Sequence, residues 1–215
     1  MGLGYLDAVG GANSFVPDPL AAFAAAEAKL TKALSVVPGH ARGHMFLGFV
    51  YVLTKRAERG IAECEHALTL DRNLANAHAY VGLGKAFNGQ AEDTEAHIAA
   101  ALRLSPFDTM AYVWMSFAGI AKNQPGTYEQ AVLWFRRAIE ANRNYPSAHF
   151  QLAAALAHLG RLEEARSAAR AGLALNPDQT ISRFRRVTSA MSDNEAYLAM
   201  LRYILEGLLL AGVPE

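Results

Sequence analysis

The chain has 215 residues, 52% of them hydrophobic, with 20 Lys plus Arg balanced by 20 Asp plus Glu. That length suits one or two domains with a sizeable core, and zero formal net charge gives no argument for a nucleic-acid surface. The single cysteine, Cys64, excludes an internal disulfide framework and fits a reducing compartment.

The opening "MGLGYLDAVGGANSF" lacks the basic flank and continuous apolar core of a secretory signal. Within it, "GLGYLDAV" reads as the first helix of an incomplete unit, and Pro19 to Val37 as its second helix. Four complete helical pairs follow, over Ala41 to Leu74, Ala75 to Asp108, Thr109 to Tyr145 and Pro146 to Gln179. The third pair carries three extra residues in the turn "KNQPGTYEQ", where Pro125 and Gly126 mark a loop. After Gln179 the period fails. "TISRFRRVTSAMSDN" has room for a short helix. Ser192 or Asp193 is then expected to cap a last helix from about Asn194 to Ala211. Its apolar residues include Tyr197, Leu201, Ile204 and Leu208, a set suited to covering the open end of a stack. No uncharged apolar run reaches the roughly 20 residues of a membrane-spanning helix. "AMLRYILEGLLLAG" is interrupted by Arg202 and Glu206.

The pairs share a spacing. Ala33, Ala67, Ala101, Ala138 and Gly172 occupy one recurring small position, at intervals of 34, 34, 37 and 34 residues. Gly48, Gly82, Ser116 and Ala153 recur in the first helices. Gly60, Thr94, Ala131 and Ala165 recur in the second helices. Lys55, Gly89, Asn123 and Gly160 recur in the turns between. Small residues at fixed sites let paired helices approach, while larger neighbours fill the remaining space. Pro38, Pro106 and Pro177 lie just past second helices, where the chain must turn.

This order of bulky, small, turn, small, bulky, small and proline resembles the tetratricopeptide repeat family. The resemblance implies an all-α fold, a right-handed α-α superhelix with a C-terminal capping helix, forming one domain over 1–215. It also implies a concave face lined mainly by first helices. The residues assigned to that groove are Met45, Phe49, Val52, Asn76, Leu83, Phe87, Asn88, Val113, Phe117, Ile120 and Phe150. The set is strongly apolar. Met45, Phe49 and Ala79 stand where relatives that clamp a peptide carboxylate use polar residues, so no such clamp is expected. An amphipathic helix or extended apolar peptide suits the groove, as does covering by the chain's own ends or by a dimer partner.

Residues with chemical potential have plainer accounts. His44, His78 and His149 share one repeat position and so belong to different layers, which does not converge ligands on a metal. Cys64 sits at an inward position and has no CxxC partner. "VGLGKAFNG" lacks the GK[ST] ending of a phosphate loop. Arg183, Arg185 and Arg186 form a basic cluster that suits an acidic partner. No catalytic, cofactor or metal site is expected, and neither nucleic-acid binding nor membrane insertion.

The run from "AHIAAALRLSPFDTMAYVWMSFAGIAK" through "SDNEAYLAMLRYILEGLLLAGVPE" is similar to the C-terminal repeat region of bacterial adenylate or guanylate cyclase-like proteins. No α/β region with paired metal-binding aspartates accompanies it. The resemblance therefore implies a non-catalytic regulatory or scaffold module for protein–protein interaction in a bacterial cytoplasm. The partner this implies is a protein, a peptide or an adjoining domain. Homodimerisation is the alternative, and any cyclase activity would be located elsewhere.

Overall fold

Eleven α-helices and no strand occur among the residues described by the computed structural model, 18–215. The expected first helix "GLGYLDAV" lies outside the described residues. The helices are α1 (Pro19–Val36), α2 (Ala41–Val52), α3 (Ala57–Leu70), α4 (Ala75–Phe87), α5 (Thr94–Leu104) and α6 (Ala111–Lys122). They continue as α7 (Tyr128–Ala141), α8 (Pro146–His158), α9 (Leu162–Leu175), α10 (Ile181–Thr188) and α11 (Glu195–Leu210). Where the sequence reading expects one domain, the Cα packing separates two compact units. The first holds α1–α5 with Ala190–Asp193; the second holds α6–α11.

Within the first unit, α2 pairs with α3 and α4 with α5. The α2–α3 crossing is made by two glycines. A Cβ on Gly48 would stand 2.5 Å from Cys64 Sγ and 2.7 Å from the Gly60 carbonyl oxygen. A Cβ on Gly60 would stand 2.6 Å from the Gly48 carbonyl oxygen. At the α4–α5 crossing Thr94 replaces the second glycine, and its buried hydroxyl donates to the Gly82 carbonyl at 2.9 Å. Within the second unit α6 pairs with α7 and α8 with α9, and the residues at the equivalent repeat positions, Ser116, Ala131, Ala153 and Ala165, are all buried. Burial pushes the Cys64 thiol well above its ordinary range, which suits a packing role.

The recurring small residues also end the second helices. The backbone N–H groups of Val37, Asp71, Ser105, Asn142 and Asn176 donate to the carbonyls of Ala33, Ala67, Ala101, Ala138 and Gly172. Ala67, Ala101 and Ala138 have no exposed surface, whereas Ala33 is half-buried. The turns inside three hairpins need a left-handed residue, at Lys55 (φ 61°), Gly89 (φ 83°) and Gly160 (φ 74°). In the third hairpin the three-residue insert moves this conformation from Asn123 (φ −81°) to Gly126 (φ 88°).

The position shared by His44, His78 and His149 ties each first helix to the turn before it. His44 Nε2 meets the Pro38 carbonyl at 2.7 Å, and His149 Nε2 meets the Arg143 carbonyl at 3.0 Å. His78 bonds the Arg72 backbone in the same way. Each acceptor lies six residues upstream of its histidine. These rings are helix tethers.

The last helix corrects the expected cap. Asn194 caps α11, its side chain accepting from the N–H groups of Ala196 and Tyr197 at 2.9 and 3.3 Å. Asp193 is engaged elsewhere by Lys55, and Ser192 by the Phe87 carbonyl. Neither is free to cap. α11 packs along α8 and against α10.

Two outcomes follow from this packing. Gly48→Ala gains up to about 1 kcal/mol of helix propensity but forces backbone against backbone, so it should cost about 1–3 kcal/mol net in urea unfolding. Gly39→Ala, with nothing within 4 Å of the added carbon, should be neutral or stabilising. The second outcome concerns His78 and His97, whose ring centroids lie 6.4 Å apart. Burial holds both imidazoles below 6.5. Arg103 adds to this at His78, as do His78 and Lys85 at His97, against Asp93 and Glu65. The unfolded chain binds these protons more readily. This stability is therefore complete above 6.5 and is lost as pH falls through the lower folded values. Urea midpoints should fall over that window, and His97→Gln should flatten the decline.

Candidate protein-binding surface

The first helices carry the residues assigned to a groove. In the first unit Met45, Phe49 and Val52 come from α2, and Leu83 and Phe87 from α4. All five are 5% exposed or less. Phe49 stacks on Tyr80 with centroids 4.2 Å apart and planes 19° apart. Asn76 and Asn88 are half-buried. Asn88 closes α4, its N–H donating to the Gly84 carbonyl at 2.9 Å. These apolar side chains are a packed floor, and the two asparagines are the more accessible members.

A segment from far along the chain covers part of this unit. The Lys55 N–H donates to the Met191 carbonyl at 2.9 Å, and Ser192 Oγ donates to the Phe87 carbonyl at 2.8 Å. Lys55 Nζ pairs with Asp193 at 2.7 Å. The carboxy-terminal ends of α2 and α4 thus receive residues 191–193. Lys55 stands where the equivalent turns use glycine. Its two bonds to 191–193 offset the roughly 1 kcal/mol that a left-handed non-glycine residue costs.

In the second unit Val113 and Phe117 on α6 are buried and Ile120 is half-buried. Phe150 points to its own hairpin partner. A Cβ on Gly172 of α9 would lie 2.9 Å from the Phe150 ring. Phe150 is 3% exposed and packs at the α8–α9 interface. Next to α8 lies α11, held by a group that the sequence reading did not collect. His158 Nε2 donates to the Tyr203 carbonyl at 2.6 Å, and Tyr128 stacks on the His158 ring at 4.8 Å. A Cβ on Gly207 would lie 2.6 Å from the Ala154 carbonyl oxygen. The available signal was Gly207, a glycine inside the apolar helix "EGLLL".

Charge is distributed unevenly in this unit. Arg136 and Arg161 both pair with Glu164, at 2.9 and 2.7 Å. Arg183, Arg185 and Arg186 on α10 form no ion pair among the described residues, and the last two are exposed. No group of three or more His, Cys, Asp or Glu among the described residues is placed to hold a metal ion. No helix among them is long and apolar enough to cross a membrane.

These hairpins, with small residues at each crossing and first helices set beside one another within a unit, define a helical-repeat fold. Residues 119–160 match the model of the TPR repeat and residues 146–179 that of the tetratricopeptide repeat. Tetratricopeptide repeats are thus matched over residues 119–179. Solved structures share the fold. PilW, a widely conserved type IV pilus biogenesis factor, is 16% identical with a TM-score of 0.67, over 93% of this chain and 90% of its own. PilF of Pseudomonas aeruginosa is 18% identical with a TM-score of 0.64, over 94% and 89%. YrrB, a TPR protein with an unusual peptide-binding site, is 23% identical with a TM-score of 0.53, over 85% and 95%. No curated protein matches the chain by sequence.

The packing of Phe49 predicts the result of truncating it. Phe49→Ser should cost about 3–5 kcal/mol in denaturant unfolding, as deletion of a buried aromatic does. Asn88→Ala should stay within about 1 kcal/mol.

Proposed function

We propose that the chain is a non-catalytic protein-interaction module that binds an apolar or amphipathic segment along its first helices. The observation that carries this reading is the side-chain register of α2 and α4 in the first unit. Met45, Phe49, Val52, Leu83 and Phe87 form an apolar floor, with Asn76 and Asn88 more accessible beside it. Apolar floors with a few polar groups at their margin recognise peptide segments through burial plus backbone hydrogen bonds. The peptide-binding site named for YrrB supports the reading by fold analogy alone. The likeness of the C-terminal repeats to those of bacterial cyclase-like proteins supports a regulatory or scaffold role in the cytoplasm. In that role a catalytic domain would be a neighbour and not a property of these residues. Arg183, Arg185 and Arg186 supply a separate face for an acidic segment.

A second reading is self-association through the outer side of α11. Leu209 and Leu210 are exposed there, at 53% and 47%. Adjacent apolar residues on one helix favour a partner of the same kind.

Selection from a displayed peptide library against the whole chain tests the first reading. Amphipathic or apolar sequences should be enriched. Asn88→Ala should weaken them about tenfold, near 1.4 kcal/mol, with far-UV circular dichroism unchanged. Enrichment of acidic sequences released by salt and by Arg185→Glu would place recognition on α10 instead. Sedimentation equilibrium tests the second reading. A concentration-dependent dimer abolished by Leu209→Glu with Leu210→Glu supports it, and a monomer at every concentration removes it.

A further inference from the structure

α11 lies on α8 as an amphipathic helix lies on a receptor. The two run antiparallel at their contact. Gly207 meets Ala154, and one turn along Tyr203 meets His158. The missing side chain at Gly207 does two things. It lets the backbone of α8 approach, and it leaves the Tyr203 carbonyl, four residues earlier, open to His158 Nε2 at 2.6 Å. Met200, Leu201, Ile204 and Leu208 are buried alongside.

Tyr128 of α7 completes the surface. Its ring stacks on His158 within 9° of parallel, and the His158 ring meets the edge of Tyr203. The Tyr128 hydroxyl is buried and has no hydrogen-bond partner among the described residues. Burial pushes its phenol up to about 12, with Tyr203 and Glu206 acting in the same direction. A buried donor without an acceptor is costly, and native structures rarely keep one without cause. α11 therefore matches the shape of this surface and leaves its donor unanswered.

We propose that Ala154, His158 and Tyr128 form a receptor for an amphipathic helix of a partner protein, one with Gly or Ala opposite Ala154 and a hydrogen-bond acceptor opposite Tyr128, and that α11 holds the place until that helix arrives. The inference rests on the interaction reading above and names the chemistry of the segment bound. Exchange between the two occupants is a competition at one site, so the apparent affinity of the partner is reduced by the fraction of chains in which α11 is seated.

The test uses the full chain and a fluorescein-labelled peptide of residues 194–212, followed by anisotropy. Gly207→Leu in the chain should unseat α11, and the peptide should then bind at least tenfold tighter than it binds the unaltered chain. A peptide that itself carries Gly207→Leu should not bind. Replacing Tyr203 by Gln in the peptide should tighten binding further, and Tyr128→Phe in the chain should remove that gain. Asn88→Ala should leave this binding unchanged, which separates its failure from failure of the broader reading. A folded Gly207→Leu chain that binds the peptide no better than the unaltered chain overturns the receptor. Absence of the Gln gain overturns the acceptor requirement. If Gly207→Leu prevents folding, amide exchange on the unaltered chain decides. α11 amides opening at least tenfold faster than those of α8 support displacement, and equal rates overturn it.

Discussion

Two helix backbones approach closely only where neither carries bulk, and the rest of this molecule is arranged around that constraint. Gly48 against Gly60 is its extreme form, with the carbonyl of each residue occupying the space a Cβ would need on the other. At Gly82 and Thr94 the approach is looser and a hydroxyl-to-carbonyl bond joins the pair. Ser116 with Ala131 and Ala153 with Ala165, at the equivalent positions, carry a Cβ on both helices. The hairpins are therefore not copies. Each reaches its crossing with a different balance of close backbone contact and polar linkage, and the larger neighbours Cys64, Ile98, Phe135 and Ala169 adjust to fill what is left.

The same economy appears where α11 meets α8. Gly207 against the Ala154 backbone repeats, between helices distant in sequence, the geometry that closes the hairpins. A surface built from alanines at Ala153, Ala154, Ala155 and Ala157 presents α8 as a narrow rod on which other helices can settle. That narrowness explains why α8 is buried against α7, α9 and α11 although it is only 13 residues long.

Much of this was legible in the sequence. The 34-residue spacing located the hairpins, because a crossing needs its small residues at fixed intervals on both helices. Ala67, Ala101 and Ala138 could be read from it directly. The groove could not be read so well. Periodicity says that Phe49, Phe87 and Phe117 are apolar residues on first helices. It does not say what lies over them, and the cover at Phe87 comes from Ser192, 105 residues away. Nor does it say that the Phe150 ring fills the space beside Gly172 on α9. The surface on α8 was missed because its members, Tyr128, Ala154, His158 and Gly207, are individually ordinary residues and gain meaning only through their adjacency.

The histidine tethers bear on where the array tolerates change in length. His44, His78 and His149 each reach a carbonyl six residues upstream, so the joint between consecutive hairpins has a gauge that an inserted residue would break. The bend inside a hairpin has no such gauge. The extra residues of the third hairpin sit there, and Gly126 reverses the chain in place of Asn123. Length can therefore be added at a bend without disturbing the spacing of neighbouring hairpins, and not at a joint.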